Sequence, residues 1–305
     1  MCAHFSSSPN RYIMRMKVYD GHESEFISDT IFSIIGAFVL LILIWFRGVG
    51  FIGNVESKDR DDKELFKQPP PDDDCPICFV RLPNVHTGYR YRSCCGKVLC
   101  CGCIHAPVYD SQGNKVDNQI CPFCRTPTPD TEEESIEREK KRMEKDDAIA
   151  IYNKGMDCME GSRGYPQDYT KALEYWHRAA DLGYTKALCC IGCAYEGGDG
   201  VGRDDKKAKY YYEMAAMQGD ATARYNLGLS ERRSGNIDRF LKHNMIAVKG
   251  GDNDALKEIK ECYTYGIATK EDYTKALQAY QAYLGEIKSP QRDKAAAADA
   301  MYRYY

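Results

Sequence analysis

One uninterrupted apolar run and one helical periodicity divide the chain. The run is Ile31–Phe46, "IFSIIGAFVLLILIWF", sixteen residues with no charge. A membrane-spanning helix takes about 20 apolar residues, with a lower limit near 17. Thr30 extends the run, Arg47 can snorkel to an interface, and Trp45 and Phe46 stand where an aromatic belt would. The pattern predicts a single transmembrane helix over 31–47, behind a polar segment, 1–30. A cleaved signal peptide fits poorly, because the run starts some thirty residues in and no A-x-A site follows. Arg11, Arg15 and Lys17 precede the run, whereas Arg47, Lys58, Arg60 and Lys63 follow it. That excess places the C-terminal side in the cytosol.

From Ala148 the apolar positions recur at helical spacing, and the sequence repeats itself. "DYTKAL" occurs at 168–173 and again at 272–277. Between the copies, "DDKKAK" starts at Asp204 and "NIDRFL" at Asn236, giving steps of 36, 32 and 36 residues. Ala179-Ala180 recurs as Ala215-Ala216, and Gly183 as Gly219 and Gly251. A period in this range signals a solenoid of stacked helix pairs. Asp168 is placed to cap a helix and Gly183 to stop it in the left-handed conformation. One pair cannot bury its apolar face alone, so the pairs must stack. Ala187, Gly192, Tyr195, Gly198, Val201, Lys207, Ala208, Ala215, Ala216 and Gly219 resemble the Sel-one-like repeat family over about 148–287. That resemblance implies a helical superhelix used as a protein-binding scaffold. Cys189, Cys190 and Cys193 fall inside one of its helices and read as small buried apolar residues.

Composition sharpens the middle of the chain. The net charge of −3 gives no basis for a nucleic-acid partner. Of fifteen cysteines, nine lie between Cys75 and Cys124. A disulfide framework belongs to small secreted domains, whereas CxxC pairs in one window of a long chain point to metal in a reducing compartment. Cys75/Cys78, Cys100/Cys103 and Cys121/Cys124 are such pairs. Zinc takes four ligands in a tetrahedron, so three pairs call for a fourth. Cys94 and Cys95 supply both of its members, making eight ligands and two Zn2+ ions. Residues 48–74, charged and then triple-proline, read as a linker. Residues 127–147 read as a charged helical linker with i,i+4 pairs such as Glu137–Lys141, and 288–305 as a C-terminal helix.

The order of the pairs resembles the RING finger family over 75–126. In that family the first and third pairs share one zinc, and the second and fourth the other. Carried over, Cys75, Cys78, Cys100 and Cys103 form one site, and Cys94, Cys95, Cys121 and Cys124 the second. The family usually has a cysteine, one spacer and a histidine where this chain has "CCGK". Lys97 would stand at the histidine position, and an ammonium cannot ligate zinc. Cys94 is the nearest replacement, with His105 and Cys101 as alternatives.

The resemblance further implies ubiquitin-ligase activity. Ile77 and Pro122 match the family's shallow groove for a ubiquitin-conjugating enzyme. Arg125 is similar to the basic residue that clamps ubiquitin onto that enzyme. Such a transferase positions its partners and forms no covalent intermediate. The expectation is a mainly α protein: an αα-hairpin solenoid behind a small cross-brace zinc domain and a transmembrane helix. It would recruit a conjugating enzyme through one module and a substrate or adaptor through the other, on the cytosolic side of a membrane. The alternative is a non-catalytic scaffold in which both modules bind proteins.

Overall fold

A computed structural model describes residues 62–67, 73–84, 88–106 and 120–304, with the backbone of two short strands between. The transmembrane expectation at 31–47 lies outside the described residues. Among the described residues no helix is long and apolar enough to cross a membrane.

The first described element is a single helical turn, α1 (Asp62–Leu65). It falls within the charged stretch 48–74, and its Leu65 is 1% exposed and belongs to the main core. Next comes an antiparallel hairpin, β1 (Tyr89–Arg92) and β2 (Lys97–Cys100), running directly into the short helix α2 (Cys101–His105). A second small ladder pairs β3 (Val108–Tyr109) with β4 (Lys115–Val116).

Eleven further elements follow among the described residues. The charged segment forms α3 (Glu132–Met143), capped by Thr131. Its Glu137–Lys141 pair spans 3.8 Å between exposed side chains. One residue breaks the solvated picture, since Glu139 is buried and ion-paired to Arg163 at 2.6 Å. Then follow α4 (Ala148–Glu160), α5 (Tyr169–Asp181), α6 (Thr185–Gly197), α7 (Asp205–Met217), α8 (Ala221–Arg233), α9 (Ile237–Lys249), α10 (Asn253–Thr264) and α11 (Lys270–Ile287). The segment read as a terminal helix divides into α12 (Pro290–Ala298) and a 3-10 turn, Ala300–Tyr302. The break falls at Asp299, whose extended backbone ends one and whose carboxylate caps the other.

The helices start where aspartates can cap them. Asp147, Asp168, Asp204, Asp220 and Asp252 each accept hydrogen bonds from backbone N–H groups in the following first turn. Those groups have no partner within the helix, so each cap contributes about 1 kcal/mol. The helices then pair, α4 with α5, α6 with α7, α8 with α9 and α10 with α11. Gly155, Gly192 and Gly228 recur 37 and 36 residues apart on the first helix of three pairs. A Cβ on Gly155 would lie 2.5 Å from the Trp176 indole nitrogen, and one on Gly192 2.6 Å from the Tyr212 ring. In the third pair Asn244 takes the place of those aromatics, 2.9 Å from the equivalent point on Gly228. Close approach at Gly155 and Gly192 lets one aromatic side chain fill each of the first two pairs. Cys189 and Cys190 are buried in α6 as small core residues.

The cysteine-rich segment packs against both ends of this array. At one end Tyr91 donates to Asp147 at 2.9 Å, and Lys186 of α6 donates to the Tyr89 hydroxyl. At the other, Arg292 of α12 is fully buried. It donates to the carbonyls of Val80 at 3.0 Å, Arg81 at 2.6 Å and Ile287 at 2.6 Å. The α12 backbone reaches α2 because Gly102 has no Cβ; one would sit 2.7 Å from the Arg292 nitrogen.

Candidate metal centre

The cysteine segment contains two turns of the same design. In "CPIC" Phe79 N–H donates to the Cys75 carbonyl at 2.8 Å, and Cys75 N–H to that of Val80 at 3.0 Å. In "CPFC" Arg125 N–H donates to the Cys121 carbonyl at 2.9 Å, and Cys121 N–H to that of Thr126 at 2.8 Å. Phe79 and Arg125 both take positive φ, 55° and 63°, at the equivalent place. Each turn aims its two sulfurs to one side.

The β1–β2 hairpin supplies the other two pairs from opposite ends. Its tight turn carries Cys94 and Cys95, closed by Gly96 at φ 71° donating to the Arg92 carbonyl at 2.7 Å. Its far end passes through Cys100 into Cys103 on α2. Four strand residues separate the two ends, roughly 13 Å of chain.

The result is two groups of four sulfurs. Cys75, Cys78, Cys100 and Cys103 lie within 4.8 Å of one another, as do Cys94, Cys95, Cys121 and Cys124. Individual separations are 3.7 Å for Cys78–Cys100, 4.0 Å for Cys94–Cys95, 4.0 Å for Cys95–Cys121 and 3.4 Å for Cys94–Cys124. Four sulfurs about 2.3 Å from a tetrahedral zinc would lie about 3.8 Å apart. The adjacent pair Cys94–Cys95 meets that spacing. Backbone N–H groups point at two sulfurs, Cys100 N to Cys75 Sγ at 3.5 Å and Cys103 N to Cys100 Sγ at 3.4 Å. Donors of this kind support ligating thiolates.

The electrostatics suit a cation. Hydrogen bonding with the Cys100 and Cys103 side chains holds the Cys75 thiol far below its ordinary value, and hydrogen bonding with Cys100 and Cys75 pushes Cys103 up. Burial opposes ionisation of Cys124, yet hydrogen bonding to Thr126 brings it down to about 6, while burial pushes Cys94 up. Each group so holds one thiol low and another high, chiefly through hydrogen bonding and burial and in smaller part through repulsion between neighbouring thiolates. A bound dication would remove that repulsion, so the donor set fits zinc in number, softness and spacing.

The other candidates fall elsewhere. Cys101 is buried outside both groups, and burial raises its thiol to about 11. His105 lies edge-on to Tyr302, with ring centroids 5.8 Å apart. Lys97 begins β2 with an exposed side chain. Ile77 is half-buried against the Cys75, Leu82, Cys100 and Cys103 cluster, Pro122 is half-buried, and Arg125 is exposed. Contacts from distant helices carried no signal in the local pattern. Arg142 donates to the Cys95 carbonyl at 3.3 Å, and Gln291 Oε1 lies 3.9 Å from Cys103 Sγ.

Beside this centre, the helix pairs find counterparts among known proteins. The Sel1 repeat family matches residues 148–184, 186–220 and 261–281. The chain carries Sel1 repeats. They run through α4 to α7 and return at the junction of α10 and α11. Between them, α8 and α9 form a further pair outside the matched residues. The Arabidopsis thaliana ERAD-associated E3 ubiquitin-protein ligase component HRD3B is 31% identical over 113 residues, 37% of this chain and 18% of that protein. The Mus musculus DAP3-binding cell death enhancer 1 is 26% identical over 167 residues, 42% of this chain and 33% of that protein. The chain therefore spans about a fifth to a third of the length of these curated relatives. A Sel1 repeat protein of Oxalobacter formigenes of known crystal structure is 29% identical. The match covers 54% of this chain and 64% of that one, with a TM-score of 0.42.

Proposed function

We propose that residues 75–126 form a RING-type domain holding two zinc ions and docking a ubiquitin-conjugating enzyme, while the Sel1 repeats recruit a substrate or adaptor. The interleaving of the two sulfur groups carries the reading. Pairs one and three meet, as do pairs two and four, with the β1–β2 hairpin as spacer. Bound zinc would cross-link the two CPxC turns to the hairpin and so fix the surface they present. On that surface Pro122 and Phe123 offer apolar area, Phe79 is 77% exposed, and Arg125 projects from the second turn. A planar guanidinium there can hydrogen-bond carbonyls of two partners at once and hold a reactive pose. Sel1 repeat proteins act in protein–protein interaction and scaffolding, and the HRD3B relative is named as a ligase component.

Ubiquitination by the full chain with a panel of conjugating enzymes tests this reading, with Ile77→Ala and Arg125→Ala beside the wild type. Chains should form with at least one enzyme and be lost or strongly slowed in the variants. If the wild type forms none with any enzyme, the ligase reading fails. A scaffold is the second reading, favoured by Ile77 packing inward and by α12 covering part of α2. It expects two zinc ions per chain by mass spectrometry and no ubiquitin chains. Tethering through 31–47, with both modules in the cytosol, belongs to the same proposal. A chain lacking 31–47 should leave the membrane fraction, and persistence there would remove that anchor.

A further inference from the structure

The turn α1 sits on the repeats in the manner of a bound peptide. With the two residues after it, it makes six described residues, Asp62–Lys67, gripped by side chains of α8 and α9. The guanidinium of Arg224, on α8 and 1% exposed, donates to the Leu65 carbonyl and, at 2.8 Å, to the Ala216 carbonyl at the end of α7. Arg239 of α9 pairs with Asp62 and stands over the Phe66 ring at 5.2 Å, with Lys242 at 5.6 Å. His243, fully buried, also packs on the Phe66 ring, tilted by 42° with ring centroids 4.6 Å apart. The three side chains of the turn that the groove reads are thus an acid, a leucine and a phenylalanine.

This occupant does not exhaust the groove. Among the described residues, Arg224 Nε and both ring nitrogens of His243 have no hydrogen-bond partner. Buried polar groups left unpaired favour any ligand able to pair them. The third helix pair carries Asn244 where the first two carry Trp176 and Tyr212, and its buried aromatic, Phe240, stands elsewhere on α9.

We propose that the groove between α7, α8 and α9 is a peptide-binding site held in cis by Asp62–Lys67. A partner segment with an acidic residue, then leucine and an aromatic three and four positions on, takes it by displacing that turn. Recognition is of main chain through Arg224, of the acid through Arg239, and of the aromatic through His243 and the two cations. The tethered turn competes at an effective concentration on the order of millimolar, which keeps the site closed to weak ligands. The inference is independent of the zinc module and of any ligase activity.

The test is fluorescence anisotropy of a labelled DKELFK peptide with the full chain. Leu65→Ala/Phe66→Ala should bind the peptide at least about 10-fold more tightly than wild type, because the internal competitor is gone. Adding Arg239→Ala should abolish that gain, and a peptide with alanine for both its leucine and its phenylalanine should not bind. Circular dichroism verifies folding, and Phe66→Ala alone serves if the double variant unfolds. Equal affinity for wild type and the folded variant overturns the proposal. So does binding that survives in the alanine peptide, or no binding by the folded variant.

Discussion

Between Cys75 and Cys124 the buried apolar side chains among the described residues are five cysteines, Leu82, Pro83 and Leu99. Between Ala148 and Ile287 they include Trp176, Tyr195, Tyr212, Phe240, Ile151, Ile191, Leu227 and Ile259, with alanines at the close contacts. The first region has too little apolar area to fold by burial alone, as small domains generally do. Its sulfurs are gathered instead, and on the proposed reading metal binding supplies the folding energy, roughly 10–16 kcal/mol per structural zinc in isolated fingers. The second region needs no such clip, because each helix pair buries its stripe against the next. The same residue type therefore does different work in the two regions: Cys100 is an exchangeable ligand candidate, while Cys189 fills space.

That contrast breaks most visibly under chelation. Stripping metal should unfold residues 75–126, and Cys94→Ser should loosen only the half around Cys94, Cys95, Cys121 and Cys124, while the far-ultraviolet helical signal of the repeats stays largely intact. Zinc per chain should fall from two to one in Cys94→Ser. Hydrogen exchange makes the check: a chelated chain that keeps protection at Leu99 and Cys100 would show a module that does not depend on metal.

The next effect lies at the junction. Arg292→Ala leaves the carbonyls of Val80, Arg81 and Ile287 without their buried donor. Each orphaned group costs about 1–3 kcal/mol where water cannot reach it. The denaturant midpoint should drop, and limited proteolysis should release the module from the repeats. An unchanged midpoint would mean that the two regions are only loosely apposed.

Smaller still is a change confined to the repeats. Gly192→Ala puts a methyl 2.6 Å from the Tyr212 ring, and overpacking of this kind costs about 1–3 kcal/mol. Melting of the helices should fall while zinc content stays fixed. Loss of metal in this variant would contradict the independence of the two regions.

Acid acts on the same helices. Burial lowers His243 to about 3, with Arg224, Arg239 and Lys209 opposing its charge and Glu231 favouring it. Its folded value lies below the ordinary one near 6.5, so the unfolded chain binds the proton first. Stability from this group is complete above about pH 6.5 and declines steadily toward pH 3. His243→Gln should flatten that part of the stability profile.

How much of this could be read in advance differs between the regions for a physical reason. The repeat announces itself because each unit solves the same packing problem, and "DYTKAL" or the glycines at 183, 219 and 251 mark the solution. The pairing of cysteines was expected from family order alone; spacing gives only the CxxC turns. Arg292, Arg142 and α1 left no trace in the pattern. A buried arginine looks like a surface arginine until the carbonyls it caps, some 210 residues away, are brought to it. Leu65 sat in a charged, proline-flanked stretch, and only the groove on α7–α9 makes it core.

The finest discrimination falls inside "SCCGKVLCCGC". Cys101 is as buried as Cys100, one residue away, and lies outside both sulfur groups. Cys100 ends β2 with an extended backbone and Cys101 opens α2, so the two side chains leave the chain in different directions and Cys100 can face the metal site while Cys101 packs elsewhere. Cys101→Ser exchanges a small apolar group for a hydroxyl and should cost about 1 kcal/mol or a little more. Its zinc content should stay at two per chain by mass spectrometry, in contrast to Cys94→Ser. If Cys101→Ser loses an ion and Cys94→Ser keeps both, the second site is built from a different sulfur, and the close approach of Cys94 to Cys124 is packing rather than coordination.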